Sequence, residues 1–225
     1  YFPWGCDAGS CSLCEGKLLQ GRVRLKANDA TLTPESPGAD ALYCCLAYPL
    51  ENCDIEVTRV LAPGQIPPQT LTAKIIRIEQ VNADVKIVQF LLPAGKRPSF
   101  SAGQYLELLI DADTSASFSI GNAPRPDRTL ELHIRANPDS SSYPKLAPRL
   151  RKDELIKMRL PMGDVTLHSL KDADRILLLA GSTGFSQIKS LLEALLQSGD
   201  ARPIHLYWGG RVFADLYLHD WAAQM

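Results

Sequence analysis

Cys6, Cys11 and Cys14 are spaced C-x4-C-x2-C within Gly5-Cys6-Asp7-Ala8-Gly9-Ser10-Cys11-Ser12-Leu13-Cys14, and a Cys44-Cys45 pair lies downstream. Three clustered thiolates with a fourth from well along the chain is the ligand arrangement of a [2Fe–2S] cluster, a one-electron carrier. The small residues Ala8, Gly9, Ser10 and Ser12 let backbone N–H groups turn toward the cluster sulfurs, where their hydrogen bonds stabilise the added electron. Two other readings compete. A disulfide framework belongs to small secreted scaffolds, and no signal-peptide pattern is seen. A structural zinc takes two short-spaced ligand pairs, not three clustered ligands and one remote. The cluster is the expected occupant.

The fourth thiol is read from its surroundings, Tyr43-Cys44-Cys45-Leu46-Ala47-Tyr48-Pro49-Leu50, followed by the strand-like Asp54-Ile55-Glu56-Val57. This stretch resembles the plant-type ferredoxin family, whose last ligand is followed by a short segment ending in Pro and then an edge strand. Matching on Ala47-Tyr48-Pro49 implies Cys45 as the fourth ligand. Cys44 and Cys53 are then small buried apolar residues. Ser12 departs from the family, where Gly is more usual.

The 225 residues suffice for two compact domains, or one and two halves. Hydrophobic content of 45% and charged content of 22% are those of a soluble globular protein. A formal net charge of -1 gives no electrostatic case for nucleic acid or an anionic membrane surface. No apolar run reaches the length of a bilayer span, so the expectation is a soluble cytoplasmic protein. All six cysteines precede residue 54, which places the metal chemistry in the first quarter of the chain.

Residues 1–60 read as an α+β ferredoxin domain of the β-grasp type. It lacks its first strands, because the chain begins at Tyr1 directly before the ligand loop. Residues 61–69, with Pro63-Gly64 and Pro67-Pro68, read as a stiffened linker. Over 70–171 the pattern alternates at period two: Val85 and Ile87, then Leu106, Leu108 and Ile110, then Leu130, Leu132 and Ile134. Turn residues separate these runs, which predicts a small antiparallel β-barrel. From 172 to 225 a continuous apolar strand, Arg175-Ile176-Leu177-Leu178-Leu179-Ala180, precedes a helical run of Phe185, Ile188, Leu191, Leu192, Leu195 and Leu196. The second strand is Ile204-His205-Leu206-Tyr207-Trp208, giving the βαβ opening of a doubly wound α/β domain. Two strands cannot close such a domain. The face carrying Ile176 and Leu178 is expected to need more sheet and a second helix layer, so the chain reads as part of a longer protein.

The motifs Gly103-Gln104-Tyr105-Leu106, Ser117-Phe118-Ser119-Ile120-Gly121-Asn122, Leu130-Glu131-Leu132-His133-Ile134-Arg135, Ala180-Gly181-Ser182-Thr183-Gly184-Phe185-Ser186 and Tyr207-Trp208-Gly209-Gly210-Arg211 occur in that order. Together they resemble the ferredoxin-NADP reductase superfamily, most closely its NAD(P)H-flavin reductase branch and the oxygenase reductases with an N-terminal ferredoxin module. The resemblance covers essentially the whole chain. It implies that Phe118 stacks on a flavin, FAD or FMN, and that the Ser119 hydroxyl bonds near flavin N5, the hydride acceptor, as the catalytic group. Ile120, His133, Ile134 and Arg135 would line the flavin, with His133 and Ile134 offering backbone groups to its pyrimidine edge. Gly181, Ser182, Thr183 and Gly184 lie between strand and helix, where a dinucleotide phosphate would sit at the helix N-terminus. Arg211 would contact the same dinucleotide. One departure is Ala116, where the family usually carries an Arg on the flavin phosphate; Arg125, Arg128, Arg135 or the hydroxyls of Ser140, Ser141 and Ser142 are the candidate replacements.

The resemblance implies an electron-transfer reductase that passes electrons from NAD(P)H through flavin to the [2Fe–2S] cluster. The acceptor is then a protein such as an oxygenase component or a deoxysugar dehydratase-type enzyme. Two alternatives stay open at this stage: a ferredoxin-type carrier without bound flavin, and a flavin reductase releasing reduced flavin.

Overall fold

The computed structural model describes residues 14–57, 60, 66–93, 100–171 and 173–225, in two compact units divided between Pro67 and Pro68. Cys6 and Cys11 lie outside the described residues.

The first unit holds two small antiparallel sheets. In one, β1 (Glu15–Gln20) lies between β4 (Leu42–Tyr43) and β6 (Asp54–Val57); in the other, β2 (Val23–Leu25) lies between β3 (Thr31–Leu32) and β5 (Ala47–Pro49). Their shared core is Leu18, Val23, Ala39 and Leu42, with Cys44, Cys53 and Ile55 packed against it.

The second unit begins with six antiparallel strands. These are β7 (Gln69–Gln80), β8 (Val85–Leu91), β9 (Tyr105–Leu109), β10 (Ser115–Ser119), β11 (Thr129–Arg135) and, after the one-turn α1 (Tyr143–Leu146), β12 (Leu155–Met162). Their spatial order is β10-β9-β12-β7-β8-β11. The single bridge Ile120 to Leu132 brings the end of β10 back to β11 and nearly closes the barrel. The period-two pattern has the expected result: Leu106, Leu108, Leu130, Leu132, Ile134, Ile156 and Met158 point inward and are at most 1% exposed. Each such side chain contributes about 1.5–3 kcal/mol of transfer free energy on burial.

The strand β13 (Ile176–Gly181) pairs in parallel with β14 (Ile204–Gly209), joined by α2 (Phe185–Ser198), and α3 (His219–Ala223) follows. This is the βαβ unit expected from the apolar pattern. Its covered face differs from the expectation, however. Ile176 and Leu178 already pack under Leu192 and Leu195 of α2, with Ile188 and Trp221 beside them. The face bare of cover among the described residues is the opposite one, with Leu177, Leu179 and Tyr207 about 60% exposed. A continuous apolar run carries no record of which face is covered first, which is why the sequence misassigns it.

Gly103, in the turn before β9, has φ +92, and a Cβ there would stand 2.5 Å from the Val165 carbonyl oxygen and 2.9 Å from Leu191 of α2. Gly199, the C-cap of α2, has φ +67 but open space around it. Gly103→Ala is therefore expected to lower unfolding stability by about 3 kcal/mol, backbone strain plus a clash, and Gly199→Ala by about 1 kcal/mol, strain alone. Denaturant unfolding of the two variants tests this, and equal losses would rule out the steric account.

Candidate cofactor sites

Two strands bring the described thiols together. Cys14, 2% exposed, immediately precedes β1, and the pairing of Glu15 with Tyr43 sets its carbonyl to accept the Cys44 N–H at 3.0 Å. Cys44, Cys45 and Leu46 then form one 3-10 turn leading into β5. Cys44 packs on the Leu18, Val23 and Leu42 core, whereas Cys45 lies outside that cluster. The Cys45 carbonyl accepts a hydrogen bond from Lys26 Nζ at 2.6 Å. Cys53 also packs on this core, and its thiol donates to the Arg22 and Glu51 carbonyls at 3.4 and 3.3 Å, a structural role. Burial, then the Cys14 and Cys45 thiols nearby, push the Cys44 thiol up, so Cys14, Cys44 and Cys45 share a neighbourhood whose soft, all-sulfur donor chemistry suits iron and sulfide.

The barrel seam gathers the residues expected at the flavin. Phe118 and Ala116 lie on the same face of β10, half-buried against the barrel core. At the bridge, the Gly121 N–H donates to the Glu131 carbonyl at 2.7 Å, and the Glu131 N–H donates to Asn122 Oδ1 at 2.7 Å. Strand alternation then turns the backbone of His133 toward the same side, beside Ser119. The backbone of Ile134 faces β8 instead, and its side chain and that of Ile120 are core. Ser119 and His133 are thus brought together, while Ile120 and Ile134 hold the seam from within. Beyond the bridge β10 and β11 have no further pairing, so this edge has backbone groups for a flat polar ring edge.

Glu131 and His133 are the residues whose surroundings the sequence pattern missed. Alternation places both on the outer face of β11, yet they are 7% and 4% exposed, because α2 covers them. Lys189 of α2, 5% exposed, places its ammonium 3.0 Å from Glu131, 2.6 Å from Glu193 and 3.0 Å from the Gly121 carbonyl, and lies over the Trp221 ring. Glu193 also accepts both Arg125 Nη2 bonds at 3.0 Å and the Ala123 N–H. His133 bonds to Glu131 through Nε2 at 3.0 Å and to the Tyr217 hydroxyl through Nδ1 at 2.7 Å. A carboxylate only accepts, so Nε2 carries a hydrogen toward Glu131, and the Tyr217 hydroxyl can complement Nδ1 as donor or acceptor. Burial opposes ionisation of Glu131, but the His133 hydrogen bond and the Lys189 charge outweigh it and hold its carboxyl down at about 2. Burial pushes the Tyr217 phenol up, which keeps it protonated. The available sequence signal was the Lys189 and Glu193 pair at i,i+4, on the helix face that also carries Ser186 and Ser190.

The turn Gly181 to Gly184 joins β13 to α2, with Ser182 at φ +52. A Cβ at Gly181 or Gly184 would meet nothing within 4 Å and no side chain caps α2, so the backbone of this turn has room for a phosphate, while the Phe185 N–H already donates back into the turn. Phe185 stacks on Trp208 at 3.7 Å, and Trp208 donates to the Ser182 carbonyl, which fixes this turn. Arg211 bonds to Asp215 and reaches Asp84, where Arg135 also pairs. The Arg211 guanidinium holds the Asp215 carboxyl down at about 2. Of the candidate replacements for arginine at 116, Arg125 and Arg135 are engaged by carboxylates, and Arg128 has no ion pair among the described residues.

A family profile described as "2Fe-2S iron-sulfur cluster binding domain" matches residues 1–50. The chain is 30% identical, over 225 residues, to the CDP-6-deoxy-L-threo-D-glycero-4-hexulose-3-dehydrase reductase of Yersinia pseudotuberculosis, covering 99% of this chain and 67% of that one. It is 30% identical to a reductase component of terephthalate 1,2-dioxygenase from Comamonas, covering 96% of this chain and 63% of the relative. Among solved structures, the Amycolatopsis cytochrome P450 reductase GcoB superposes with a TM-score of 0.64 at 25% identity, covering 99% of this chain and 68% of that one. The chain belongs to the [2Fe–2S]-bearing ferredoxin reductase family. The reductase is an oxidoreductase with a [2Fe–2S] domain over residues 1–50. No helix among its described residues is long and apolar enough to cross a membrane.

Two outcomes follow for the reductase. Cys45→Ser is expected to abolish the cluster and Cys44→Ser to retain it, as read by iron and labile sulfide; equal content in both variants would refute the ligand assignment. Lys189→Met leaves Glu131 buried without its cation and Glu193 with Arg125 alone, and is expected to cost about 3 kcal/mol. Because the Glu131 pKa is depressed in the folded state, its stabilising contribution is complete above about 4.5 and is lost as pH falls toward about 2. Removing Lys189 raises that folded pKa, so acid unfolding followed by circular dichroism should begin at a higher pH in the variant. An unchanged acid midpoint would show that Lys189 does not hold Glu131 ionised.

Proposed function

We propose that the reductase takes hydride from NAD(P)H at the β10–β11 seam and delivers single electrons through Cys6, Cys11, Cys14 and Cys45 to a partner protein. By its relatives' names that partner is an oxygenase component or a deoxysugar dehydrase. The observation that supports this most is the convergence, within one compact unit, of an open barrel seam and an uncapped helix start. The flavin supplies the conversion between a two-electron donor and a one-electron cluster.

The remaining work belongs to this chain. Phe118, partly buried on β10, would offer an aromatic ring, and the hydroxyl of Ser119 at the end of the strand would orient the acceptor atom without a full charge. The Ser119 carbonyl accepts the Ser186 hydroxyl at 3.0 Å, so the strand that carries the reacting edge is tied directly to the first turn of α2. Gly181, Ser182, Thr183 and Gly184 receive the dinucleotide phosphates at that same turn, and the Lys189 cluster one turn further fixes the approach of the two. Small displacements between hydride donor and acceptor cost large factors in rate, so this bracing has a direct catalytic purpose. Arg211 steadies the 211–215 segment against Asp84, and Arg128, without an ion pair among the described residues, would be a cation for a flavin phosphate.

Anaerobically purified full-length protein should hold two irons and one flavin per chain, by iron, labile sulfide and released-flavin analysis. Two irons without flavin would overturn the relay in favour of a simple carrier. Ser119→Ala should slow flavin reduction by NAD(P)H about tenfold to a hundredfold in stopped-flow absorbance and leave cluster content unchanged. An unaltered reduction rate would remove Ser119 from the reacting edge.

A further inference from the structure

Lys26 lies just beyond β2, and its ammonium is doubly placed. It donates to the Cys45 carbonyl at 2.6 Å and sits 5.0 Å from the centre of the Tyr48 ring. The position does not depend on the side chain, because the Lys26 N–H already donates to the Leu46 carbonyl at 2.8 Å, and Leu25 pairs with Ala47. The backbone pins the two segments, and the ammonium adds a positive charge on top of that pin. Arg24 lies over the same ring at 5.8 Å, but Asp29 stands 3.8 Å from it and offsets its charge. Lys26 has no carboxylate partner among the described residues.

We propose that Lys26 is a tuning residue for the cluster, its ammonium on the Cys45 carbonyl favouring the reduced state. The inference rests on Cys45 being the fourth ligand. The physical reason is charge. Reduction adds one electron to a group that is already anionic, and a fixed cation on the peptide of a ligand stabilises the more negative state. The carbonyl and the aromatic face hold the ammonium in place, where an unrestrained lysine would spread its charge through solvent. The contact affects the driving force of both electron steps in opposite senses: it makes receipt from the flavin easier and donation to the acceptor protein harder.

The test is a spectroelectrochemical titration of the cluster in the full protein for Lys26→Gln, Lys26→Met and Lys26→Arg. In Lys26→Gln and Lys26→Met the reduced-to-oxidised ratio at a fixed potential should fall about tenfold, equivalent to about 59 mV for a one-electron couple. Lys26→Arg should stay near the parent, and the visible spectrum should be unchanged in all three. Neutral variants that keep the cluster and titrate at the parent potential would overturn the proposal. So would neutral variants that fail to hold a cluster while Lys26→Arg holds one, since the side chain would then be a structural pin. Cys45→Ser separates the two levels of the argument: if it retains a normal cluster the ligand assignment fails, and if it is cluster-free the potentials judge Lys26 alone.

Discussion

An ammonium buried between two carboxylates is the constraint on which the larger unit depends. Lys189 reaches Glu131 on the barrel and Glu193 on its own helix, and Arg125 closes the cluster from the barrel side. Such a cluster contributes little net stability, because desolvating the charges consumes most of the Coulombic gain. Its value is geometric. An apolar interface tolerates sliding, whereas charges that must meet at 2.6–3.0 Å tolerate one register. The helix whose first turn faces the candidate phosphate site is thereby held at one angle to the strand that carries Phe118 and Ser119.

This explains an arrangement of α2 that looks inverted. Ser186, Gln187, Lys189, Ser190 and Glu193 face the barrel rather than solvent, and each bonds to a backbone or side-chain group of the 103 turn or the 119–131 segment. Its apolar residues Ile188, Leu192 and Leu195 face β13 and β14. The helix is a two-sided adaptor, greasy toward its own sheet and polar toward the barrel loops. The barrel edge has unpaired backbone groups to satisfy, and polar side chains from α2 supply their partners.

The fold was legible where local pattern decides it. Leu130, Leu132 and Ile134 announced an inward-facing strand, and the strand, helix and strand after residue 172 announced a βαβ unit. The [2Fe–2S] domain was legible because metal ligation demands particular atoms at particular spacings, here C-x4-C-x2-C, whereas the choice of Cys45 over Cys44 came from resemblance. Glu131, His133 and Lys189 were not, because their burial is caused by partners some sixty residues away in sequence, and a charged side chain on an alternating strand reads as solvent-facing. The same limit applies to β13, where five apolar residues in a row erase the distinction between its two faces. Arg211 was singled out by resemblance alone, and its ties to Asp215 and Asp84 come from packing that no spacing rule contains.

The strip formed by Leu177, Leu179 and Tyr207 bears on how the chain matures. The barrel is assembled largely from antiparallel neighbours, and β7–β8 and β9–β10 are adjacent in sequence, so much of it forms from contacts that close early. The parallel pair β13–β14 must wait for α2 between them, and each is an edge strand among the described residues. During that wait the molecule presents a hydrophobic strip flanked by unpaired backbone, the combination most prone to recruit a strand from a second chain. Whether that strip first meets its cover or another copy is then settled around β13 and β14, away from the cysteine-bearing sheets.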